Sequence, residues 1–337
     1  MKTQINFLLI LLMLTTQSAV AQFYISPTHL VFEGAGLRGI AYAGALLELE
    51  ERQQLCEVQE VAGTSAGATT ACLLSVGFSP VELVDQIGQT DFARFNDSRG
   101  GMIGAAIRMN REFGWFEGKA FTQWIEERIW EKTGSRDLTF AELRFLAAGN
   151  QDFYELRIVA TSINNQRVIS FSADTYPDMR IADAVRASMS VPFYYKPLVI
   201  DCDGHVIDSC PDNGRCDICV DGGISANYPI HVFDENGVNP GTLGFRIDSQ
   251  EQIAHDRVGS ELCSFEVLNF RDFITSFYVF VLESNNRSGM TAEDWNRTVL
   301  ISDCDLSPRV RKLSQAEKEA LIEAGRKAAR EYVETAS

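Results

Sequence analysis

The stretch LVFEGAGLRGIAYAGALLELEE, residues 30–51, decides the fold class of this chain of 337 residues. A short apolar run leads into the glycine-rich hexad GAGLRG, and an amphipathic segment follows without a break. This order predicts a strand over residues 29–32, a tight turn, and a helix over residues 39–53. The glycines of such a turn allow backbone N–H groups to approach an anion at the start of a helix. The hexad lacks the Lys that follows it in a nucleotide phosphate loop, so its role has to be inferred from the other motifs.

Strand and helix patterns alternate along the rest of the chain, without internal repeats or a low-complexity linker. Further strands are predicted over residues 58–62, 154–162, 167–172, 242–247 and 298–302. Helices are predicted over residues 66–76, 183–190 and 270–288, within a mostly helical stretch over residues 81–132, and after Ser314. Such alternation is typical of a mainly parallel sheet with helices on both faces, a three-layer α/β/α fold without an internal domain boundary.

The N-terminal residues have the features of a secretory signal peptide. Lys2 precedes an apolar run over residues 5–14, and a polar stretch leads to Ala19-Val20-Ala21. We expect residues 1–21 to be removed, which leaves residues 22–337 as one exported domain, periplasmic or secreted. An uncleaved membrane anchor is the alternative, although the apolar run is too short to span a bilayer well.

The chain carries 46 acidic side chains against 30 Lys and Arg, a formal net charge of −16. This balance argues against a nucleic-acid partner, because such a partner needs basic patches that neutralise its phosphates. It also gives no long-range attraction to an anionic lipid surface. Any contact with a membrane is therefore expected to be apolar and local.

Four of the eight cysteines are clustered in one segment, at Cys202, Cys210, Cys216 and Cys219. In an exported protein this cluster predicts two disulfides. A zinc site that includes His205 is one alternative, although the ligands lack the usual spacing of two C-x-x-C pairs. Free thiols are the other alternative.

The segment VQEVAGTSAGATTACLL, residues 58–74, contains the pattern G-x-S-x-G between a predicted strand and a predicted helix. In this arrangement the serine stands on a sharp turn, and the flanking Gly63 and Gly67 leave room for the neighbouring backbone. Ser65 is thereby exposed at a helix N-terminus, where the positive end of the helix dipole favours an alkoxide. The pattern indicates a nucleophile.

The sequence offers two alternatives for the general base that would activate Ser65. The chain order permits a Ser-His-Asp triad with His231 or His255, although neither histidine belongs to a recognisable motif. The segment CVDGGISANYPI, residues 219–230, offers Asp221 instead, at the end of a predicted strand and before two glycines.

The motifs in this order resemble the patatin-like phospholipase family. That family has a loop of the type G-G-G-x-[RK]-G, which here consists of Gly34, Ala35, Gly36, Leu37, Arg38 and Gly39. Three further segments are similar to the family: the G-x-S-x-G motif at residues 63–67, called the elbow, the segment RASMSVPFYYKP at residues 186–197, and the D-G-[GA] motif at residues 221–223. The resemblance covers residues 29–250. Two departures are Ala35, where glycine is usual, and the cysteine-rich insertion before Asp221.

The resemblance implies a lipid acyl hydrolase, such as a phospholipase A or esterase, of the bacterial and exported type. In this interpretation Ser65 is the nucleophile, Asp221 is the general base, and the loop over residues 34–39 is an oxyanion hole. Arg38 either adds to the field at the oxyanion or pairs with a carboxylate. The substrate is a lipid or membrane acyl ester, no metal or cofactor is needed, and whether a protein activates the enzyme is left open. A non-catalytic lipid-binding protein with the same fold is the remaining alternative.

Overall fold

The computed structural model describes residues 26–97, 101–211, 214–256, 267–268, 270–287, 289–306 and 311–336. The signal peptide expected over residues 1–21 lies outside this part of the chain. Among the described residues, no helix is both long enough and apolar enough to cross a membrane.

Strands in the described ranges form one large sheet and a small ribbon. In chain order they are β1 (His29–Phe32), β2 (Glu60–Thr64), β3 (Gly114–Phe116), β4 (Glu155–Ser162), β5 (Arg167–Phe171), β6 (Phe193–Tyr195), β7 (Leu198–Ile200), β8 (Asp217–Asp221), β9 (Thr242–Asp248) and β10 (Thr298–Ser302). The large sheet has the order β10-β9-β1-β2-β4-β8-β7, and β5 pairs with β4 beside this path. Strands β10, β9, β1, β2 and β4 run parallel, whereas β5 and β8 are antiparallel to β4, and β7 is antiparallel to β8. The ribbon consists of β3 and β6.

Helices connect and flank these strands. In chain order they are α1 (Ile40–Glu51), α2 (Ala66–Ser75), α3 (Pro80–Gln89), α4 (Gly101–Glu112), α5 (Lys119–Thr133), α6 (Phe140–Gly149), α7 (Ile181–Ser188), α8 (Gly223–Ala226), α9 (Gln250–Asp256), α10 (Phe270–Arg287), α11 (Ala292–Asn296) and α12 (Gln315–Ala336). Capping boxes begin α3, α6 and α11. A capping box also begins α12, because the Ser314 N–H donates to Glu317 Oε2 at 2.8 Å and the Glu317 N–H donates to Ser314 Oγ at 3.3 Å.

The central strands of the large sheet are buried on both faces. Along β1, Leu30 and Phe32 pack into the main apolar core, whereas Val31 between them packs into a second cluster with residues of the segment 228–233. Successive side chains of a strand point to opposite faces, so both faces are covered. The expected three-layer α/β/α fold with a mainly parallel sheet is confirmed.

The opening stretch differs from expectation in one respect. The sequence predicts an amphipathic α1, yet nine of its twelve residues are buried. The C-terminal helix α12 packs against α1, and Arg330 forms an ion pair of 3.0 Å with the buried Glu48. α12 thus covers a side of α1 that the sequence pattern assigns to water. The sequence also does not predict strands β3, β6 and β7, because three residues are too few to show a period-2 pattern.

Candidate active site

The G-T-S-A-G motif forms the turn between β2 and α2. Ser65 has a φ of 53° and a ψ of −115°, a conformation that costs a non-glycine residue about 1–3 kcal/mol. The turn is tight, since a Cβ on Gly67 would collide with the carbonyl oxygen of Phe32 in β1. Ser65 is partly exposed and directly precedes the first residue of α2. This is the strand–turn–helix geometry of a nucleophile elbow.

A serine from a distant segment holds this turn. Ser188, the last residue of α7, is fully buried, and its Oγ accepts the Ser65 backbone N–H at 2.8 Å. The same hydroxyl donates to the carbonyl oxygen of Val159 in β4 at 2.6 Å. Ser188 therefore fixes the strained Ser65 backbone relative to the sheet. Nothing in the sequence around Ser188 indicates this contact, although the residue lies in the segment that resembles the family.

Asp221 is the last residue of β8 and is 1% exposed. Its Oδ1 accepts the Gly223 N–H at 2.7 Å. Its backbone N–H donates to the Ser190 carbonyl oxygen at 2.9 Å, and its carbonyl oxygen accepts the Thr161 hydroxyl at 3.0 Å. Burial raises the pKa of Asp221 to about 6, although the Gly223 N–H and the Ser65 hydroxyl both lower it. The carboxyl group is thus rigidly held and unusually basic.

The second oxygen of Asp221, Oδ2, is buried and has no hydrogen-bond partner among the described residues. The Ser65 hydroxyl is close enough to lower the pKa of Asp221, but no aligned hydrogen bond joins the two side chains. Buried carboxylate oxygens are usually satisfied, so an unpartnered one needs an explanation. A proton acceptor that is free and next to a hydroxyl group is what a general base requires before substrate binds.

The hexad GAGLRG forms the connection between β1 and α1, with a 3-10 turn over Gly36–Gly39. Gly36 has a φ of 56°, in the left-handed region that favours glycine. Ala35 has a φ of −132°, so the departure from the family's usual glycine causes no backbone strain. The first N–H groups of a helical turn have no acceptor within the turn, and here these belong to Gly36 and Leu37.

The loop lies against the elbow and is braced by the segment that follows Asp221. A Cβ on Gly34 would lie 3.3 Å from Ser65 Cβ. The buried Asn227 accepts the Gly34 N–H on its carbonyl oxygen at 3.0 Å, and its Nδ2 donates to the Gly34 carbonyl oxygen at 3.1 Å. One segment therefore positions both Asp221 and the glycine-rich loop.

Arg38 anchors the other end of the loop. Its Nη1 pairs with Asp303 Oδ2 at 3.1 Å, and its Nε donates to the Ala35 carbonyl oxygen at 3.2 Å. Of the two roles that the sequence allows for Arg38, these contacts support pairing with a carboxylate.

A buried ion network lies behind the loop. Glu33 Oε1 lies 3.3 Å from Arg246 Nε, and both side chains are almost fully buried. Glu33 Oε1 also accepts Asn227 Nδ2 at 3.3 Å, and Oε2 accepts the Ile247 N–H at 3.1 Å. Burial raises the pKa of Glu33, and the charge of Arg246 opposes that shift. The network ties Asn227, and through it the glycine-rich loop, to β9.

Among the described residues, no histidine forms a hydrogen bond with Ser65 or Asp221. His231 Nδ1 instead lies 2.9 Å from Asp234 Oδ2, and His255 belongs to α9. The Ser-His-Asp alternative finds no support in these contacts.

The cysteine cluster contains one disulfide, where two are expected. Cys210 and Cys216 are bonded, whereas Cys202 is an exposed thiol and Cys219 a buried one. Cys219 lies within β8, and burial raises the pKa of its thiol to about 12. Its side chain is enclosed in the core, whereas that of Cys202 is in solvent, so the second expected disulfide is not formed. The disulfide also uses two of the four cysteines from which the zinc alternative would take its ligands.

Two groups of side chains in the described ranges are close enough to share a cation. One lies on the loop over residues 201–205, and the other combines His231 with Asp234 and Asp294. Arg297 already pairs with both carboxylates of the second group. Neither group includes Ser65 or a neighbour of it in the elbow.

The span from β1 to the segment after α8 also matches a known protein family. The family model for patatin-like phospholipase covers residues 30–234, more than half of the chain. The chain belongs to the patatin-like phospholipase family. The resemblance of its motifs is thereby confirmed, and membership supports hydrolysis of lipid acyl esters.

Relatives of this patatin-like chain occur in bacteria and viruses. YqhO of Bacillus subtilis (strain 168) is 26% identical over 307 residues, which are 88% of this chain and 94% of YqhO. Probable lipid hydrolase 463L of Invertebrate iridescent virus 6 is 24% identical over 214 residues, 62% of this chain and 65% of that protein. The solved structure of VipD from Legionella pneumophila matches with a TM-score of 0.59 at 16% identity, over 92% of this chain and 67% of VipD. That last likeness concerns the fold alone.

Proposed function

We propose that the protein hydrolyses fatty-acyl esters of lipids through a dyad of Ser65 and Asp221. The observation that carries the proposal is the buried Asp221 carboxyl group, which has an unpartnered oxygen and a pKa of about 6 beside the Ser65 hydroxyl. Family membership, and the name of the viral relative as a probable lipid hydrolase, support the substrate class.

In the first half of the reaction, Ser65 Oγ attacks the carbonyl carbon of the ester while its proton passes to Asp221. The tetrahedral intermediate then collapses, the C–O bond to the alcohol breaks, and Asp221 returns the proton to the departing alkoxide. In the second half, a water molecule attacks the acyl-enzyme and gives its proton to Asp221. The fatty acid leaves as Ser65 Oγ recovers that proton.

Negative charge develops on the carbonyl oxygen during both attacks. The loop over residues 34–39 would stabilise it through the N–H groups of Gly36 and Leu37, which have no acceptor within their turn. Each such donor is typically worth about 3 kcal/mol of the barrier. The Ala66 N–H at the start of α2 is a further candidate, whereas the Ser65 N–H is already bonded to Ser188.

No step of this mechanism calls for a metal or a cofactor. We further propose that residues 22–337 act as one exported domain of the bacterial type, periplasmic or secreted, as the signal-peptide features of residues 1–21 indicate. The net charge of −16 supports a neutral lipid partner rather than a nucleic acid.

The proposal is tested by labelling purified protein with a fluorophosphonate probe and by assaying phosphatidylcholine in mixed micelles. Wild type should gain a single adduct in its intact mass, and Ser65→Ala should gain none. Ser65→Ala and Asp221→Asn should each lose at least about 10³-fold in kcat/KM. The matched controls His231→Ala and His255→Ala should remain within about 2-fold of wild type.

The alternatives give different results in the same assays. An inactive His231→Ala or His255→Ala variant would favour a Ser-His-Asp triad over the dyad. Wild-type protein that binds lipid, with neither an adduct nor turnover, would indicate a non-catalytic lipid-binding protein.

A further inference from the structure

Helix α10 packs on the segment that carries the proposed base. A Cβ on Gly223, two residues after Asp221, would lie only 2.7 Å from Leu282 Cδ2 of α10. Burial raises the pKa of Tyr278 well above its usual value, and the negative charge of Asp221 adds to this shift. Tyr278 is therefore within electrostatic reach of the Asp221 carboxylate. One side of α10 thus lies beside the reacting groups.

Another side of the same helix carries a row of exposed aromatic rings. Phe273, Phe277 and Phe280 are 56%, 59% and 59% exposed. Their spacing of four and three residues places them on one face of a helix. We call these three residues the phenylalanine row. Surface apolar residues are usually scattered, so a contiguous row points to a binding surface.

The part of the helix that carries the row is uncharged, although Arg271 and Asp272 directly precede it. The ten residues from Phe273 to Leu282 contain no Asp, Glu, Lys or Arg, in a chain of net charge −16. The next residue, Glu283, is turned inward, where its Oε2 accepts Arg246 Nη2 at 3.0 Å. The composition of this surface therefore matches an uncharged, apolar partner.

A fourth exposed aromatic residue lies close to the site. Phe193 at the start of β6 is 70% exposed and has a φ of 67°, a left-handed conformation that is rare for a bulky residue. It follows by three residues Ser190, whose carbonyl oxygen accepts the Asp221 N–H at 2.9 Å. Three residues of chain span at most about 11 Å. Exposed aromatic rings thus come from two segments that both contact the proposed base or its neighbour.

We propose that the phenylalanine row is the surface by which this protein docks on a neutral or zwitterionic lipid aggregate. The choice of lipid rests on the proposed function, because a lipid acyl ester is supplied from an aggregate and α10 lies beside Asp221. Apolar insertion of aromatic rings also gives a strongly acidic protein a way to bind lipid that needs no basic patch.

The experiment measures flotation of the full chain with vesicles of pure phosphatidylcholine, together with hydrolysis of the vesicle lipid. The test variant replaces Phe273, Phe277 and Phe280 with Ser. A matched control replaces three other exposed apolar residues, on α3, α5 and α6, which are Val81, Trp130 and Phe145, at 56%, 53% and 81% exposure. The test variant should bind vesicles at least about 100-fold more weakly, since three half-exposed rings are lost from the interface. The control should bind within about 2-fold of wild type.

Salt and lipid charge provide a second readout. Wild-type binding should persist in high salt and should not increase with added phosphatidylserine.

If the triple variant does not fold, as judged by circular dichroism, Phe193→Ser tests the same interface from a separate segment and should weaken binding about 5-fold.

Three results would overturn the inference. They are unchanged vesicle binding by the triple variant, wild-type binding that requires phosphatidylserine and disappears in salt, and a wild-type dimer whose dissociation depends on the phenylalanine row.

The proposed function is tested separately by hydrolysis of monomeric p-nitrophenyl butyrate, because this reaction needs no lipid interface. That activity should be the same in wild type and in the triple variant. Vesicle binding without any ester turnover would refute the proposed function and leave the docking surface intact.

Discussion

Replacing Asp221 with Asn should raise the stability of the folded protein at neutral pH. The native carboxyl group has a pKa of about 6, whereas an Asp in an unfolded chain has a pKa of about 3.9. The native state therefore holds this proton more tightly than the unfolded state. Between these two pKa values, the Asp221 carboxyl group is ionised in the unfolded chain but still protonated in the native state. The stability that this group contributes therefore falls as pH rises through that interval.

The size of the effect follows from the two pKa values. Their difference of about 2 units corresponds to about 3 kcal/mol at pH 7.5, where both states are ionised, and to about 1.5 kcal/mol at pH 5. Asn has nearly the same shape, its Oδ1 can still accept the Gly223 N–H, and it has no charge to desolvate. The variant should therefore recover these amounts, and the gain at pH 7.5 corresponds to a rise in Tm of about 5 °C for a chain of this length.

The assay is thermal unfolding followed by circular dichroism at both pH values. The gain in Tm for Asp221→Asn should be about twice as large at pH 7.5 as at pH 5. The exposed Asp178→Asn serves as the matched control and should shift Tm by less than about 1 °C at either pH. A gain that is equal at the two pH values, or a loss at pH 7.5, would refute the reasoning that burial sets this pKa. The same ionisation predicts that wild-type esterase activity rises with pH through about 6.

Three further predictions concern the contacts around the site. Ser188→Ala leaves the Ser65 N–H without its acceptor and should cost about 1–3 kcal/mol of stability and lower kcat more than it raises KM; an unchanged kcat would contradict a positioning role. Arg246→Met removes the cation from buried carboxylates and should lower the free energy of unfolding in urea at neutral pH by about 3–5 kcal/mol. An unchanged free energy of unfolding would mean that the ion network is not strongly coupled. Loss of the disulfide in the Cys210→Ser, Cys216→Ser double variant should cost about 2 kcal/mol, as expected for a short loop, while kcat stays within about 2-fold; a larger loss of activity would show that the disulfide positions the site.

The elements that the sequence predicts well are those whose signal is local. The strand, loop and helix over residues 29–53 are read from hydrophobic periodicity and glycine positions, which act within a few residues. The same holds for the elbow, since the strained backbone of Ser65 is a consequence of the turn between β2 and α2. Asp221 as the end of a strand is likewise a local inference. All these elements are present, although β2 begins and ends two residues later than the sequence predicts.

The interactions that hold the site together depend on residues that are far apart in the chain. Ser188 meets Ser65 across 123 positions, and Asn227 meets Gly34 across 193. A hydrogen bond of this kind produces no periodic pattern in either segment, because each partner is a small residue of a common type in its own context. The pairing of Cys210 with Cys216 was equally undetermined, since spacing alone does not select among connectivities.

By itself, the sequence determined the alternating strand and helix order, the elbow that exposes Ser65, and the strand end that carries Asp221. Only the tertiary structure decided how basic Asp221 is, because its pKa depends on the exclusion of water by segments packed around it. It also decided that α10 buries one side against the proposed base and leaves the phenylalanine row exposed. Burial is a property of the packed molecule, and no window of the sequence contains it.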